Sequence, residues 1–190
     1  MIERLMTDVH RLHGRSNARL LVQSLLLKRT FRPIATARML QWAAEKPARG
    51  VLRPPLLALH AFFRWAAAMD FPHQAALGRG LRIDHGWGLV INASARIGDN
   101  VTLYHGVTLG QSDHVDADGQ RSTRYPVIED DVWIGPHAIV VGARVGKGSR
   151  IAGGAFVNHD VPPGSLVVGN PSKVVRSGVP PDVEHPVGKA

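Results

Sequence analysis

The chain contains no cysteine. Disulfides, thiolate-bound metals and thiol nucleophiles are therefore excluded, an absence compatible with the cytoplasm. Long hydrophobic runs are missing too. The most apolar stretch, LLALHAFFRWAAAM at residues 56–69, is interrupted by Arg64 and falls short of the ~20 residues needed to cross a bilayer. Residues 1–17, MIERLMTDVHRLHGRSN, carry charges and no apolar core, unlike a secretory leader. No nucleic-acid reader motif is present, and the basic residues are not interleaved with aromatics. Acidic residues are scarce at one end only. Residues 1–70 hold 12 Lys and Arg against 4 Asp and Glu, whereas residues 71–190 hold 11 of each, so the whole net charge of +8 lies on the N-terminal segment. A solvated, Arg-rich helical face accounts for this. Peripheral contact with anionic lipid through basic amphipathic helices is the alternative.

What the chain does have is a period of six. Aliphatic residues stand at Leu77 and Ile83, at Ile91, Ile97, Leu103 and Leu109, at Ile128, Ile134 and Val140, and at Val145, Ile151 and Val157. A second series, small or aliphatic, runs two positions ahead, from Ala75 and Leu81 to Ser149 and Ala155. Six matches neither an amphipathic helix nor an alternating strand. It matches a parallel β-helix, in which short strands and tight corners wind around one apolar stack. The expected fold is mainly β: a helical region over 1–74, a β-helix over 75–178, and a loosely ordered, flexible tail over 179–190. Within the first part, a helical pattern spans Ser16 to Glu45 with a break near Pro33. A second begins after Pro54 and Pro55 and ends before Pro72.

Three departures from the period mark special corners. Ile83 to Ile91 is two residues too long, across DHGWG at 84–88. Leu109 to Ile128 holds thirteen extra residues, read as an exposed loop over 111–127, and Val140 to Val145 is one residue short. Loops on a rigid scaffold are where binding residues concentrate. Of the ten histidines, His60 lies in the apolar helix and reads as packed, while His105 and His137 sit near corners that could line a groove. His85 differs from the rest. It follows Asp84, precedes Gly86 and Gly88, and occupies the irregular corner, where glycine permits unusual backbone angles and close ligand approach. A neighbouring carboxylate orients an imidazole and favours its protonated form.

The stretch DFPHQAALGRGLRIDH at 70–85, followed by GWGLVINASARIGDNVTLYHGVTLGQ, VIEDDVWIGPHAIV and VPPGSLVVGNPSKVV, resembles bacterial serine acetyltransferases over about residues 70–178. The resemblance implies a left-handed β-helix, a homotrimer and acetyl-CoA as acyl donor, with no metal. It also implies roles. His85 matches the general base, Asp70 the carboxylate paired with it, and Asp84 a second acidic residue of the acceptor site. Arg124 matches an arginine that holds the acceptor carboxylate, and Gly110 a glycine at the start of the loop. Tyr125 stands where that family has a second histidine, and Gln111 replaces a glycine. TFRPIATARMLQW, the TLGQ before the loop and YPVIEDDVWIGP resemble a shorter branch associated with capsule and exopolysaccharide synthesis.

On this reading the chain is an acetyl-CoA-dependent O-acetyltransferase acting on a saccharide hydroxyl, with serine as the alternative acceptor. A non-catalytic β-helix scaffold is the rival of another class. A zinc hydratase would need three converging histidines, which the spacing of His85, His105 and His137 does not supply. With three repeats per coil, the His85 corner and the 111–127 loop project from different edges, so a neighbour's loop in a three-fold assembly would complete the site. The donor would lie in the groove between subunits along Trp133, Gly135, His137 and Gly153. Lys173, with Lys147, Arg150 and Arg176, would face the CoA phosphates.

Overall fold

The computed structural model describes residues 1–188. Four helices come first: α1 (Ile2–His13), α2 (Ala18–Leu27), α3 (Phe31–Ala44) and, after a 3-10 turn at Pro47–Leu52, α4 (Arg53–Ala67). α1 lies ahead of the segment whose pattern reads as helical, and the break in that segment, between Leu27 and Phe31, lies near Pro33 as expected. Gly14, at φ 70°, ends α1 by donating its N–H to the His10 carbonyl, and the Asn17 side chain caps α2 by accepting from Leu20 N–H. Pro33 sits in the first turn of α3, and Pro54 and Pro55 in that of α4, where a missing N–H leaves no bond unmade. Among the described residues no helix is long and apolar enough to cross a membrane.

The solenoid follows. Its first coil is β1 (Ala76–Leu77), β2 (Arg82–Asp84) and β3 (Val90–Ile91), and its second is β4 (Arg96–Ile97), β5 (Thr102–Tyr104) and β6 (Thr108–Gly110). The chain then leaves as a hairpin, β7 (Ser112–Val115) and β8 (Arg121–Arg124). It returns for a third coil, β9 (Val127–Ile128), β10 (Trp133–Ile134) and β11 (Ile139–Val141). The fourth is β12 (Arg144–Val145), β13 (Arg150–Ile151) and β14 (Phe156–Val157), after which β15 (Leu166–Val168) and β16 (Lys173–Arg176) close the stack. Each coil contributes one strand to each of three parallel walls. Wall one is β1-β4-β9-β12, wall two β2-β5-β10-β13-β15, and wall three β3-β6-β11-β14.

The register explains the sequence period. Ile83 pairs with Leu103, Leu103 with Ile134, Ile134 with Ile151 and Ile151 with Val167, so one aliphatic column runs up wall two. Each of these side chains is buried, as are the second-series residues Ala75, Leu81, Leu89, Val101, Val132 and Ala155. The long corner at 84–88, the excursion at 111–126 and the short step to Val145 are all absorbed outside the stack, which keeps its register across each of them; Val127, expected in the loop, already belongs to β9. The excursion is a regular structure of its own: β7 and β8 pair antiparallel from Ser112↔Arg124 to Val115↔Arg121. β16 pairs antiparallel with β15 and turns the last edge of wall two away from further parallel growth.

The helices are seated on the first coil by a buried ion pair. The Arg38 guanidinium donates to both carboxylate oxygens of Asp8, at 2.7 and 2.9 Å, and also to the carbonyls of Leu77 and Gly78. Asp8 in turn accepts from Leu81 N–H at 2.9 Å. Residues 179–188 have no regular structure, yet they are fastened along wall two. Val179 N–H donates to the Gly164 carbonyl, Arg150 pairs with Asp182, and Arg82 pairs with Glu184. Val187 exchanges hydrogen bonds with Asn100, and Arg11 reaches the Glu184 carbonyl. The sequence expectation of a flexible tail meets a strap through residue 188; residues 189–190 lie outside the described residues.

His60 of α4 is packed, as its apolar surroundings suggest. It is 3% exposed, and its Nε2 lies 2.9 Å from the Phe71 carbonyl. A carbonyl only accepts, so Nε2 carries the proton, and Nδ1 accepts from the Thr36 hydroxyl at 2.8 Å. Burial pushes its pKa from the ordinary 6.5 down to about 4. The unfolded chain therefore binds this proton first, and stability present above pH 6.5 is lost as pH falls toward 4. The loss reaches roughly 3 kcal/mol at full protonation. Urea melts across that pH range should show a shallower decline in His60→Gln than in the unmodified chain, and equal slopes would remove His60 as the cause.

Candidate active site

The corner that joins wall two to wall three is where the chemistry-bearing side chains gather. β2 ends at Asp84, and His85 turns the chain outward at φ 64°, in the left-handed region that non-glycine residues rarely occupy. Such strain is a recurrent mark of functional positions. Gly86, at φ 71°, is pressed against the helices: a Cβ there would stand 2.0 Å from Met69 Cε and 2.8 Å from Thr30 Cγ2. Arg29 locks the corner from outside. Its guanidinium donates to the carbonyls of Ala67 and His85 and lies 3.6 Å from the Trp87 ring centroid, a stacked cation–π contact.

Above His85 the same edge carries a column of corners, joined by backbone bonds from Gly106 to Trp87, His137 to His105 and Gly154 to Pro136. Three imidazoles stack along it. The ring centroids of His85 and His105 are 5.7 Å apart at 84°, and those of His105 and His137 are 4.9 Å apart at 89°. The His85 ring is exposed, and among the described residues only its backbone carbonyl is hydrogen-bonded, by Arg29. His105 Nδ1 is buried with no hydrogen-bond partner among the described residues. Tyr104 lies beside both His85, at 6.3 Å, and Trp133, at 5.1 Å. Among the described residues no set of His, Asp and Glu converges as metal ligands.

The carboxylates expected here are close in the chain path but otherwise committed. Asp70 pairs with Val90 on wall three, directly after the His85 corner, through Asp70 N–H to Leu89 and Ile91 N–H to Asp70. Its side chain is held by Arg64 at 3.1 Å and makes no hydrogen bond to His85. Asp84 accepts from Arg82 Nε, and together with Thr102, Tyr104, Trp133, Asp182 and Glu184 they line a cleft of about 200 Å³ beneath the strap. A larger concavity, about 600 Å³, lies on wall one around Gln41, Gln74, Ala76 and Arg96, away from His85.

The remaining expected residues divide between two edges. Gly135, His137 and Gly153 belong to the His85 edge. Both glycines keep the backbone bare: a Cβ on Gly135 would lie 2.8 Å from Gly153 N, and one on Gly153 would lie 3.0 Å from the Pro136 carbonyl. Trp133 stands on wall two beside this edge, and Lys173 is exposed at the top of the same wall. Gly110, Arg124 and Tyr125 lie at the next edge, between walls three and one, where the hairpin leaves the coil. There Arg124 donates to Asp160 at 2.7 Å, and Tyr125 is 43% exposed. The Arg144 N–H and the Arg124 side chain hold the Asp160 carboxyl below its ordinary value. Lys147 and Arg150 are paired with Asp131 and Asp182. Arg29, Arg64 and the strap carboxylates carry no local sequence signal, because each reaches the site by tertiary packing alone.

No family model matches the chain. The serine acetyltransferase of Bacillus licheniformis is 41% identical to it over 119 residues, which is 62% of this chain and 53% of that one. The serine acetyltransferase of Helicobacter pylori is 40% identical over 119 residues, 62% of this chain and 67% of its own length. The chain thus spans about half the length of the first of these relatives. Among solved structures, serine acetyltransferase from Brucella abortus in complex with coenzyme A superposes with a TM-score of 0.75 and 29% identity, covering 94% of this chain and 69% of that one.

Arg29 ties the helices to the His85 corner, so its loss has a measurable cost. Arg29→Ala should lower the unfolding free energy by about 1–3 kcal/mol, the range for losing hydrogen bonds made by a charged group. Arg29→Lys should recover only part of this, because an ammonium cannot reproduce the planar fork. Matched urea melts of the three proteins check the order, and an unchanged midpoint in Arg29→Ala would refute it.

Proposed function

The chain belongs to the serine acetyltransferase family, and we propose that it transfers the acetyl group of acetyl-CoA directly to a substrate hydroxyl. One observation carries the reading. His85 presents an exposed imidazole from a left-handed corner, with its backbone fixed by Arg29 and its ring unengaged by hydrogen bonds among the described residues. Such a group is free to take a proton. The bare backbone of Gly135 and Gly153 on the same edge supports a long donor lying against it, and the coenzyme A complex of the Brucella relative supports the donor's identity.

In the proposed reaction the acceptor oxygen attacks the thioester carbonyl as His85 removes its proton, a step in which a positioned base contributes on the order of 10²–10⁴ in rate. Corner N–H groups stabilise the tetrahedral oxyanion. Collapse breaks the carbon–sulfur bond, and the imidazolium returns its proton to the leaving thiolate, giving the acetyl ester and free CoA. Asp70 acts as a positioning residue for the imidazole once its carboxylate turns away from Arg64.

We read the working site as shared between copies. Arg124 and Tyr125 stand on a different edge from His85, and in a homotrimer of left-handed coils the hairpin of a neighbour would meet the His85 edge. For the acceptor, the names of the relatives support serine, whose carboxylate Arg124 would bind after releasing Asp160. A saccharide acceptor, as in capsule and exopolysaccharide synthesis, is favoured by a separate observation. Tyr125 is an exposed phenol at the position where the resemblance places a second histidine, and aromatic rings suit sugar faces better than an amino acid.

His85→Ala should reduce thiol release from acetyl-CoA by at least about a hundredfold while leaving the assembly and its melting temperature in place. Near-normal turnover would defeat the assignment of His85 as base. Offering L-serine, sugars and nucleotide sugars in parallel separates the acceptors. Turnover with serine alone establishes the first reading. Turnover with a saccharide alone establishes the second, and Tyr125→His should then lower kcat/KM for that saccharide.

A further inference from the structure

The outward side of α4 is apolar, and a contiguous exposed apolar patch marks an interaction surface. The inward stripe of the helix, Leu56, His60 and Ala67, packs on α3 and Phe71, but the outward stripe is open to solvent. Phe62 is 55% exposed and Trp65 78%, and Val51, just ahead of the helix, is 79% exposed. The face continues onto α2, where Leu26 and Leu27 are 65% and 71% exposed. Arg32 joins the two helices. It donates to the carbonyls of Leu25 and Leu26 and lies 5.7 Å from the Phe63 ring, which in turn stands 5.6 Å from Phe62.

The charges around this face are predominantly positive, and the one carboxylate that borders it, Asp70, is paired with Arg64 of α4. Between residues 16 and 69 Glu45 is the only acidic residue, and it is paired with Arg49. Arg19, Lys28, Arg29, Arg32, Lys46 and Arg53 form no salt bridge with any carboxylate among the described residues. A second copy seated on the face would bring these cations against their own images. An anionic bilayer would instead receive Phe62, Trp65 and Leu26 among its acyl chains while the guanidinium and ammonium groups meet lipid phosphates.

We infer that the α2–α4 face docks the protein on an anionic phospholipid surface. The face ends at Arg29, which is bonded to the His85 carbonyl and stacked on Trp87, so docking places the His85 corner at the edge of the membrane. This surface stands whether or not the acyl-transfer reading does, since nothing in it depends on His85 titrating or on any acceptor.

The test is co-sedimentation of the full chain with vesicles of phosphatidylcholine alone and of phosphatidylcholine mixed with phosphatidylglycerol. Binding should require phosphatidylglycerol and weaken as salt is raised. It should fall at least about tenfold in Lys28→Glu/Arg53→Glu, as expected for reversing two near-surface cations. Phe62→Ser/Trp65→Ser should lose binding while keeping the circular dichroism spectrum and melting temperature of the parent. Absence of binding to the mixed vesicles, or equal binding by the parent and both double variants, overturns the inference. So does a fall in the sedimenting mass of Phe62→Ser/Trp65→Ser in the absence of lipid, which would assign the face to a second copy of the chain.

Discussion

Everything at the His85 corner depends on how the helices sit on the first coil, and that seat is the buried Asp8–Arg38 pair. Burial pushes the Asp8 carboxyl above its ordinary value, while Arg38 and the Leu81 N–H pull it back down. Pairs of this kind contribute little net stability compared with an apolar replacement, yet breaking one leaves an uncompensated charge at a cost of about 3–5 kcal/mol. What the pair supplies is geometry. Arg38 reaches from α3 to Asp8 on α1 and to the Leu77 and Gly78 carbonyls of the first coil in one planar fork. α3 begins two residues after Arg29, so fixing α3 also fixes the guanidinium that clamps the His85 carbonyl.

The solenoid was legible because burial imposes a strict repeat on it. Each aliphatic residue must lie over its partner one coil below, so Ile83, Leu103, Ile134 and Ile151 announce themselves in the sequence before any coordinate is known. Departures from the repeat were as informative as the repeat, since the stack tolerates extra residues only at corners. That logic isolates His85 and locates the hairpin. It does not reveal that the excursion pairs as β7 and β8, because its polar residues alternate without an apolar face to bury. α1 was not marked off within the helical region for a similar reason: its buried face includes Asp8 and Arg11, whose value lies in partners far along the chain. The Arg64 hold on Asp70 was likewise unreadable, being set by where α4 ends rather than by any motif.

The site itself is a compromise between rigidity and availability. The coils above give the His85 edge a fixed spacing, seen in the imidazole column that reaches His137. The polar groups that would act on an acceptor are nevertheless engaged elsewhere in the isolated chain: Asp70 with Arg64, Asp84 with Arg82, Arg124 with Asp160. These are partly or largely exposed ion pairs, whose individual worth is about 0–1 kcal/mol, so a bound ligand or a neighbouring subunit can redistribute them at small cost. The backbone is thus preset, while the charged side chains retain a choice of partners.

A solenoid of stacked coils behaves as a one-dimensional array, in which terminal repeats open first because each has a neighbour on one side only. The strap after residue 178 alters that arithmetic. It leaves the last coil at Gly164, crosses wall two by way of Arg150 and Arg82, and is bonded to Asn100 and Arg11 beside the first coil. Top and bottom are thereby made neighbours, and the array becomes a ring. Opening either end requires the strap to detach, which exposes the other end as well. The protein should therefore lose its coils together rather than peel from one end, a cooperativity that stacking alone would not confer.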